Sequence, residues 1–316
     1  MENETLPFKK RTRVLVFGSN GWIGKKLVKF FYEQPEFKVE PAQGRVTDYM
    51  SALHELRRVR PDVVINAIGK THGKDCDNID GCLDEPGDTV KSNVLVVSSL
   101  VQACKNIGCG LVHLSSGCIF NGYPEGKPNG FTENDLCNPV SFYAERKVEA
   151  ELIAKTYDRA LIIRIRLPFD GLPSKRNLFN KLLGIINNPA GSYVIDAPNS
   201  MTCLDDLFIA MRELISAKAV GVYHVANPGP LRHSQIIGWM KELRLIYFIP
   251  NGVEFVTPEV FNRLQITRDR RSNCVLDTSK LEKFLGFKMR SAEEAMKACI
   301  REYIIRSKED DSSPTN

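Results

Sequence analysis

The chain has 316 residues, 43% of them hydrophobic and 26% charged, with a formal net charge of +5. That length supports a sizeable core, and the composition is that of a globular protein rather than a disordered one. No apolar run approaches the roughly 18 residues that cross a bilayer, no secretory leader pattern opens the chain, and Lys and Arg are scattered without interleaved aromatics, so membrane and nucleic-acid roles are excluded. The nine cysteines are an odd number, mostly set in apolar stretches, with no Cys-x-x-Cys pair and no His at zinc-like spacing. They read as reduced thiols of a cytoplasmic protein that holds no metal.

In chain order, residues 1–12 are polar and basic and read as a flexible arm. Val14, Leu15, Val16 and Phe17 predict a short buried strand. Gly18-Ser19-Asn20-Gly21-Trp22-Ile23-Gly24 follows, and then a helical pattern with Ile23, Leu27, Phe30 and Phe31 on one side. Glycines three apart in such a turn make the bend, let backbone approach a pyrophosphate, and let the helix pack closely on the sheet. The helix N-terminus adds free N–H groups for phosphate. The stretch predicts a dinucleotide site.

The pattern continues with a strand over 37–40, a helix over 49–58, a buried strand over 61–67 and a helix over 90–104. A strand over 111–115, a helix over 141–157 and a strand over 160–165 complete it. This alternation predicts a parallel sheet covered on both faces, a Rossmann-type doubly wound α/β fold. Beyond Arg166 the pattern loosens. Helices are expected over 178–186, 204–214, 234–243 and 292–305, and strands over 192–195 and 221–225, with an irregular stretch rich in Pro, Asn and Arg before the last helix. Residues 13–168, with 199–230 returning to them, read as the dinucleotide-binding domain. Residues 169–198 and 231–305 read as a smaller C-terminal substrate-binding lobe over the edge of the sheet where ligands of open α/β sheets bind. Residues 306–316 read as a disordered tail. The helices over 90–104 and 141–157 offer surfaces for a homodimer.

The second chemical signal is Tyr143-Ala144-Glu145-Arg146-Lys147. Positions i and i+4 share a helix face, and an ammonium beside a phenol lowers its pKa toward a range useful for proton transfer. Alone, such a pair is common on surface helices. With the glycine turn and with Ser116 ending the strand upstream, it points to ketone reduction by hydride. Cys118 lies just past that strand end, where a thiol of depressed pKa can act as a base; its plainer reading is a small buried hydrophobe.

These features resemble an extended short-chain dehydrogenase/reductase. Gly21-Trp22-Ile23-Gly24, Gly117-Cys118-Ile119-Phe120, Ser141-Phe142-Tyr143, Asn199-Ser200-Met201-Thr202 and Arg271-Ser272-Asn273 are more closely similar to the bifunctional nucleotide-4-keto-rhamnose 3,5-epimerase/4-reductases. That branch is related to the dTDP-4-dehydrorhamnose reductases. The resemblance runs from Arg13 to Ile304 and leaves out the tail and the stretch between Lys70 and Asp88. It implies a UDP- or dTDP-4-keto-6-deoxyglucose substrate, reduced at C4 after inversion at C3 and C5.

By that resemblance Ser116 polarises the carbonyl, Tyr143 donates the proton, and Lys147 holds the nicotinamide ribose and tunes Tyr143. Cys118 and Lys181 are implied as the epimerising acid and base. The cofactor would touch Gly18, Asn20, Gly21, Trp22, Ile23, Gly24, Asn66, Ala67 and Gly69, with Asn93 bracing the site. Arg45 suits the 2′-phosphate of NADP(H), the cofactor expected; Glu40 stands where an acid would suit NAD(H), the alternative. Asn177, Lys181, Asn199, Met201 and Arg271 are implied as substrate contacts. Plainer readings stand beside these: Lys181 as a solvated helix position, Asn66 and Asn93 as satisfied polar groups, and Arg271 as a surface arginine. Two other functions fit the same features, a reductase without epimerase activity and a non-catalytic, dinucleotide-binding regulatory subunit of methionine adenosyltransferase.

Overall fold

The computed structural model describes residues 10–188 and 192–312. Most of the expected arm and the last four residues of the expected tail lie outside them. The first half contains β1 (Thr12–Phe17), α1 (Trp22–Tyr32), β2 (Phe37–Pro41), α2 (Tyr49–Val59) and β3 (Val63–Asn66). It continues through α3 (Asp80–Asp84), α4 (Pro86–Val90), α5 (Val96–Ile107), β4 (Gly110–Ser116), α6 (Phe142–Ala154) and β5 (Ala160–Ile165). Then come β6 (Pro168–Phe169), α7 (Leu178–Ile186), β7 (Ser192–Ile195), β8 (Asn199–Cys203), α8 (Leu204–Ser216) and β9 (Gly221–His224). The chain closes with β10 (Asn227–Leu231), α9 (His233–Glu242), β11 (Val253–Val256), α10 (Pro258–Arg263), α11 (Ser279–Leu285) and α12 (Ala292–Ser312).

Six strands form one parallel sheet in the order β2-β1-β3-β4-β5-β9. Alternation along β1 explains its two cores. Val14 and Val16 face a cluster with Leu27, Phe31, Leu207 and Met211 of α1 and α8. Leu15 and Phe17 face Leu53, Leu56, Leu100 and Val101 of α2 and α5. This is the Rossmann-type sheet that the alternating pattern predicts. A third core joins α7, α9 and α12 around the small sheet β10-β8-β6, with Phe179, Ile236, Met296 and Ile300 at its centre. Strands β7 and β11 make a separate pair.

Strand order reverses at β1, whose neighbours β2 and β3 lie on opposite sides, and open α/β sheets bind ligands in the crevice outside the C-terminal strand ends at such a switch point. The glycine turn sits in it. Gly18 has φ +77°, and a Cβ there would lie 2.6 Å from the Ala67 carbonyl carbon. At Gly24 a Cβ would fall 2.1 Å from the Gly18 carbonyl oxygen, so neither position admits a side chain.

Four features differ from expectation. Of residues 199–230, expected to return to the dinucleotide-binding domain, only α8 and β9 join the large sheet and its core; β8 and β10 lie in the small sheet of the third core. The helix expected over 90–104 is broken by a π-helical turn, Lys91–Leu95, between α4 and α5. Such a turn re-aims side chains, and here it carries Asn93 inward. The irregular stretch before the last helix contains β11, α10 and α11. Helix α12 continues to Ser312, through residues assigned to the tail by their polarity; buried Ile300 and Tyr303 anchor it, and further turns propagate cheaply from an anchored helix.

Candidate active site

The cofactor crevice begins at the N-terminus of α1. Its N-cap, Gly21, offers no capping side chain, which leaves first-turn N–H groups for a ligand. The buried Trp22 Nε1 has no hydrogen-bond partner. An uncapped helix end, a side-chain-free approach at Gly18 and an orphaned indole donor fit a dinucleotide pyrophosphate. Asn20 and Arg45 are exposed, Arg45 on the loop after β2. Glu40, by contrast, is paired with Lys38 and with Arg58, each at 3.5 Å.

Asn66 and Asn93 are spent internally. Asn66 Oδ1 accepts from the Ile68 N–H at 3.0 Å, and its amide nitrogen lies 3.1 Å from His113 Nδ1. Asn93 accepts from the Lys70 N–H at 2.6 Å and donates to the Lys70 carbonyl at 3.0 Å. Both therefore shape the turns on which Ala67 and Gly69 lie.

Ser116, Tyr143 and Lys147 converge at the end of β4, where Tyr143 meets the Ser116 hydroxyl and Lys147 reaches the Leu114 carbonyl. Ser141 caps α6 by accepting from the Ala144 N–H at 3.2 Å and sets the register that turns Tyr143 and Lys147 inward. Their electrostatics differ from the sequence expectation. Burial pushes the Tyr143 phenol up, Cys118 adds to that, and a hydrogen bond with Ser116 opposes it. Burial lowers Lys147 to about 8, against the opposing influence of Glu151 and Cys118, and its ammonium donates to the Leu114 carbonyl at 2.8 Å. The phenol is thus kept protonated as a donor, because desolvation of its charged form outweighs the Ser116 hydrogen bond and the Arg166 charge.

Cys118 begins where β4 turns into a short 3-10 segment, its N–H donating to Ser116 Oγ at 3.1 Å. Burial alone would raise its thiol, but the charge of Arg166 and hydrogen bonds from Ser116, Ser272 and Arg166 bring it below the usual thiol value. Arg166 Nη1 lies 2.7 Å from Sγ. The sequence reading did not single out Arg166, although an arginine two places after Arg164 in an apolar strand run was a visible anomaly. Lys181 stands on α7, and desolvation of its ammonium, then the Arg176 charge, lowers it.

The implied substrate contacts divide. Asn177 is fully buried; its amide donates to the Asp170 carbonyl at 2.7 Å, to Asp170 Oδ1 at 3.0 Å and to the Leu172 carbonyl at 2.8 Å. It caps α7 and so orients Lys181, with no donor left for a sugar. Asn199 holds Arg166 Nε at 2.9 Å and donates to Asn273 Oδ1 at 2.7 Å. Met201 is wholly within the third core, where no ligand reaches it. Arg271 pairs with Asp80 at 2.9 Å and donates to Asn78 at 2.9 Å.

Both partners come from the stretch between Lys70 and Asp88, outside the resemblance. It also supplies Asp77, 3.3 Å from Arg176, and His72, whose buried Nδ1 has no partner. Burial, then the charges of Arg176 and Lys70, lower His72. Arg176 and His72 were missed because nothing local marks a residue that meets the site only through tertiary folding.

The family described as RmlD substrate binding domain matches residues 12–305. The bifunctional dTDP-4-dehydrorhamnose 3,5-epimerase/reductase of Arabidopsis thaliana is 30% identical over 273 residues, covering 85% of this chain and 86% of that one. A trifunctional UDP-glucose 4,6-dehydratase/UDP-4-keto-6-deoxy-D-glucose 3,5-epimerase/UDP-4-keto-L-rhamnose reductase of the same plant is 30% identical over 282 residues; the match spans 88% of this chain but only 40% of that protein. Among solved structures, the UDP-rhamnose synthase of Acanthamoeba polyphaga mimivirus superposes with a TM-score of 0.80 at 28% identity, covering 92% of this chain and 99% of that one. A dTDP-4-dehydrorhamnose reductase of Bacillus anthracis in complex with NADP shares the fold, with a TM-score of 0.76 at 20% identity over 93% of this chain and 99% of that one. The chain belongs to the RmlD substrate-binding-domain family.

Proposed function

We propose that the protein is an NADPH-dependent enzyme of nucleotide-rhamnose synthesis that epimerises UDP- or dTDP-4-keto-6-deoxyglucose at C3 and C5 and reduces it at C4. The observation that carries this reading is a partnered, lowered Cys118 thiol in the same pocket as a proton-donating Tyr143. A reductase alone needs the phenol and has no use for the thiol. The bifunctional Arabidopsis relative and the mimivirus synthase bear names of the same chemistry.

The C4 ketone makes the hydrogens at C3 and C5 acidic. Cys118 takes such a proton, the electron pair moves onto the C4 oxygen as an enolate, and Lys181 returns a proton to the carbon from the other face. Bound NADPH supplies the hydride for the final step. Ser116 then donates a hydrogen bond to the C4 oxygen, and Tyr143 gives it the proton that completes the alcohol. Lys147 holds the nicotinamide ribose and keeps a positive charge behind the phenol. Exposed Arg45, together with a Glu40 already engaged by two cations, favours the 2′-phosphate and hence NADP(H). A dTDP-4-dehydrorhamnose reductase of this fold holds NADP.

The nine cysteines are all free thiols, which supports a reducing, cytoplasmic setting. Among the described residues no helix is long and apolar enough to cross a membrane. Exposed Leu95 and Leu152 support pairing of two copies along α5 and α6.

The test is incubation in D2O with NADPH and each keto-sugar, with absorbance at the nicotinamide band and product NMR followed together. Oxidation with deuterium at C3 and C5 of a rhamnose product is expected. Oxidation without deuterium means a plain reductase, and neither signal from protein that binds NADPH overturns the enzymatic reading altogether.

A further inference from the structure

Arg166 is 3% exposed, and no carboxylate pairs with it among the described residues. A buried guanidinium without a counter-ion is costly, so its partners decide how its charge is met. Nε donates to Asn199 Oδ1 at 2.9 Å, Nη1 to Ser272 Oγ at 3.0 Å, and Nη2 to the Ser272 carbonyl. Asn199 is itself fixed by Asn273 at 2.7 Å. Those three acceptors are neutral and hold the planar fork from both ends. The fourth partner, Cys118 Sγ at 2.7 Å, is the one that can carry a negative charge.

We infer that Arg166 is a positioning residue whose locked guanidinium keeps Cys118 as a thiolate at the cleft, and that the thiolate is its counter-ion. The other groups around Sγ fit this division. Lys147 of α6 adds a second positive charge and is itself favoured in its charged form by Cys118. Tyr143 of α6 is held protonated, and burial pushes Cys274 up to about 11, so neither competes as the anion. Ser116 and Ser272 hydrogen-bond to the sulfur and favour its charged form. The arginine thereby supplies what the epimerase reading requires of Cys118, a base already deprotonated near neutral pH.

This inference rests on the role given to Cys118 above, and its test needs no sugar. The full-length protein is treated with iodoacetamide across a pH series, and alkylation of the Cys118 peptide is followed by mass spectrometry. In Arg166→Gln the pH of half-maximal alkylation is expected to rise by about one to three units, with NADPH binding and circular dichroism unchanged. Arg166→Lys restores the charge without the fork and is expected to fall between the two. An unchanged profile in Arg166→Gln overturns the inference. If that variant does not fold, an unchanged profile in Arg166→Lys does so, because one ammonium cannot hold Asn199, Ser272 and the sulfur together. A shifted profile alongside absent deuterium exchange into the keto-sugar leaves the thiolate assignment standing and removes the epimerase reading instead.

Discussion

The two halves of the pocket reach their protonation states by different physics. On the α6 side, Tyr143 is raised and Lys147 lowered chiefly because both are buried. On the Cys118 side burial works against the useful state, and a fixed guanidinium together with several hydrogen bonds reverses it. Desolvation keeps a neutral donor neutral, whereas an anion in the same pocket needs a partner. A reductase half can therefore be built from one helix and one strand end. The Cys118 side, to which we assign the proposed epimerisation, needs Arg166 after β5, Asn199 on β8 and Ser272 beyond α10, brought together from across the chain.

The largest expected effects separate these halves. Tyr143→Phe removes the proton donor but leaves Cys118, so NADPH oxidation should fall about 100- to 10,000-fold while deuterium still enters beside the ketone. Parallel loss of both, with ligands still bound, would merge the two halves into one machine. Cys118→Ala is the reciprocal case. Exchange at C3 and C5 should fall by a comparable factor, while reduction of a sugar supplied already epimerised continues. Loss of that reduction too would deny the division.

A pH profile sharpens the same comparison with a milder effect. Lys147 is charged below about 8 and neutral above it, whereas the phenol stays protonated well beyond that point. Reduction should therefore decline above pH 8, by about tenfold per unit, through loss of the ammonium rather than of the phenol's proton. Lys147→Arg keeps its charge at all accessible pH values, so whatever reductase activity survives should lose that limb. A limb that persists in the variant would assign it to another group.

What could be read from the sequence follows the same division. Val14 to Gly24 and the Tyr143/Lys147 pair were legible because strand alternation, glycine spacing and helix periodicity act over a few residues. Lys181 came only through resemblance, and Cys118 needed it to outweigh the plainer reading, since neither has a local pattern that distinguishes a base from a buried thiol or a solvated lysine. Arg166 and Arg176 escaped because their partners lie far along the chain, and His72 because only tertiary folding buries it. Asn177 and Met201 were over-read: each stands beside residues that line the cleft, but one is turned to the backbone and the other to the core. The π turn at Lys91–Leu95 left no trace in the sequence, because a single turn is too short to set a period of its own.

The smallest expected effects test those last two assignments. Met201→Ala should lower stability by about 2–5 kcal/mol through a cavity in the third core, with KM for the sugar unmoved. Asn177→Ala should cost about 1 kcal/mol, the value of a lost helix cap, because α7 loses its first-turn acceptor and the loop at Asp170 and Leu172 loses its donor. Since Asn177 also fixes the start of the helix that carries Lys181, deuterium exchange should weaken modestly in step with the drop in melting temperature. Thermal unfolding and KM measured on one preparation decide the matter. A raised KM with unchanged melting temperature would mean that the amide meets the sugar directly, and Asn177 would then belong to the substrate site rather than to the helix that serves it.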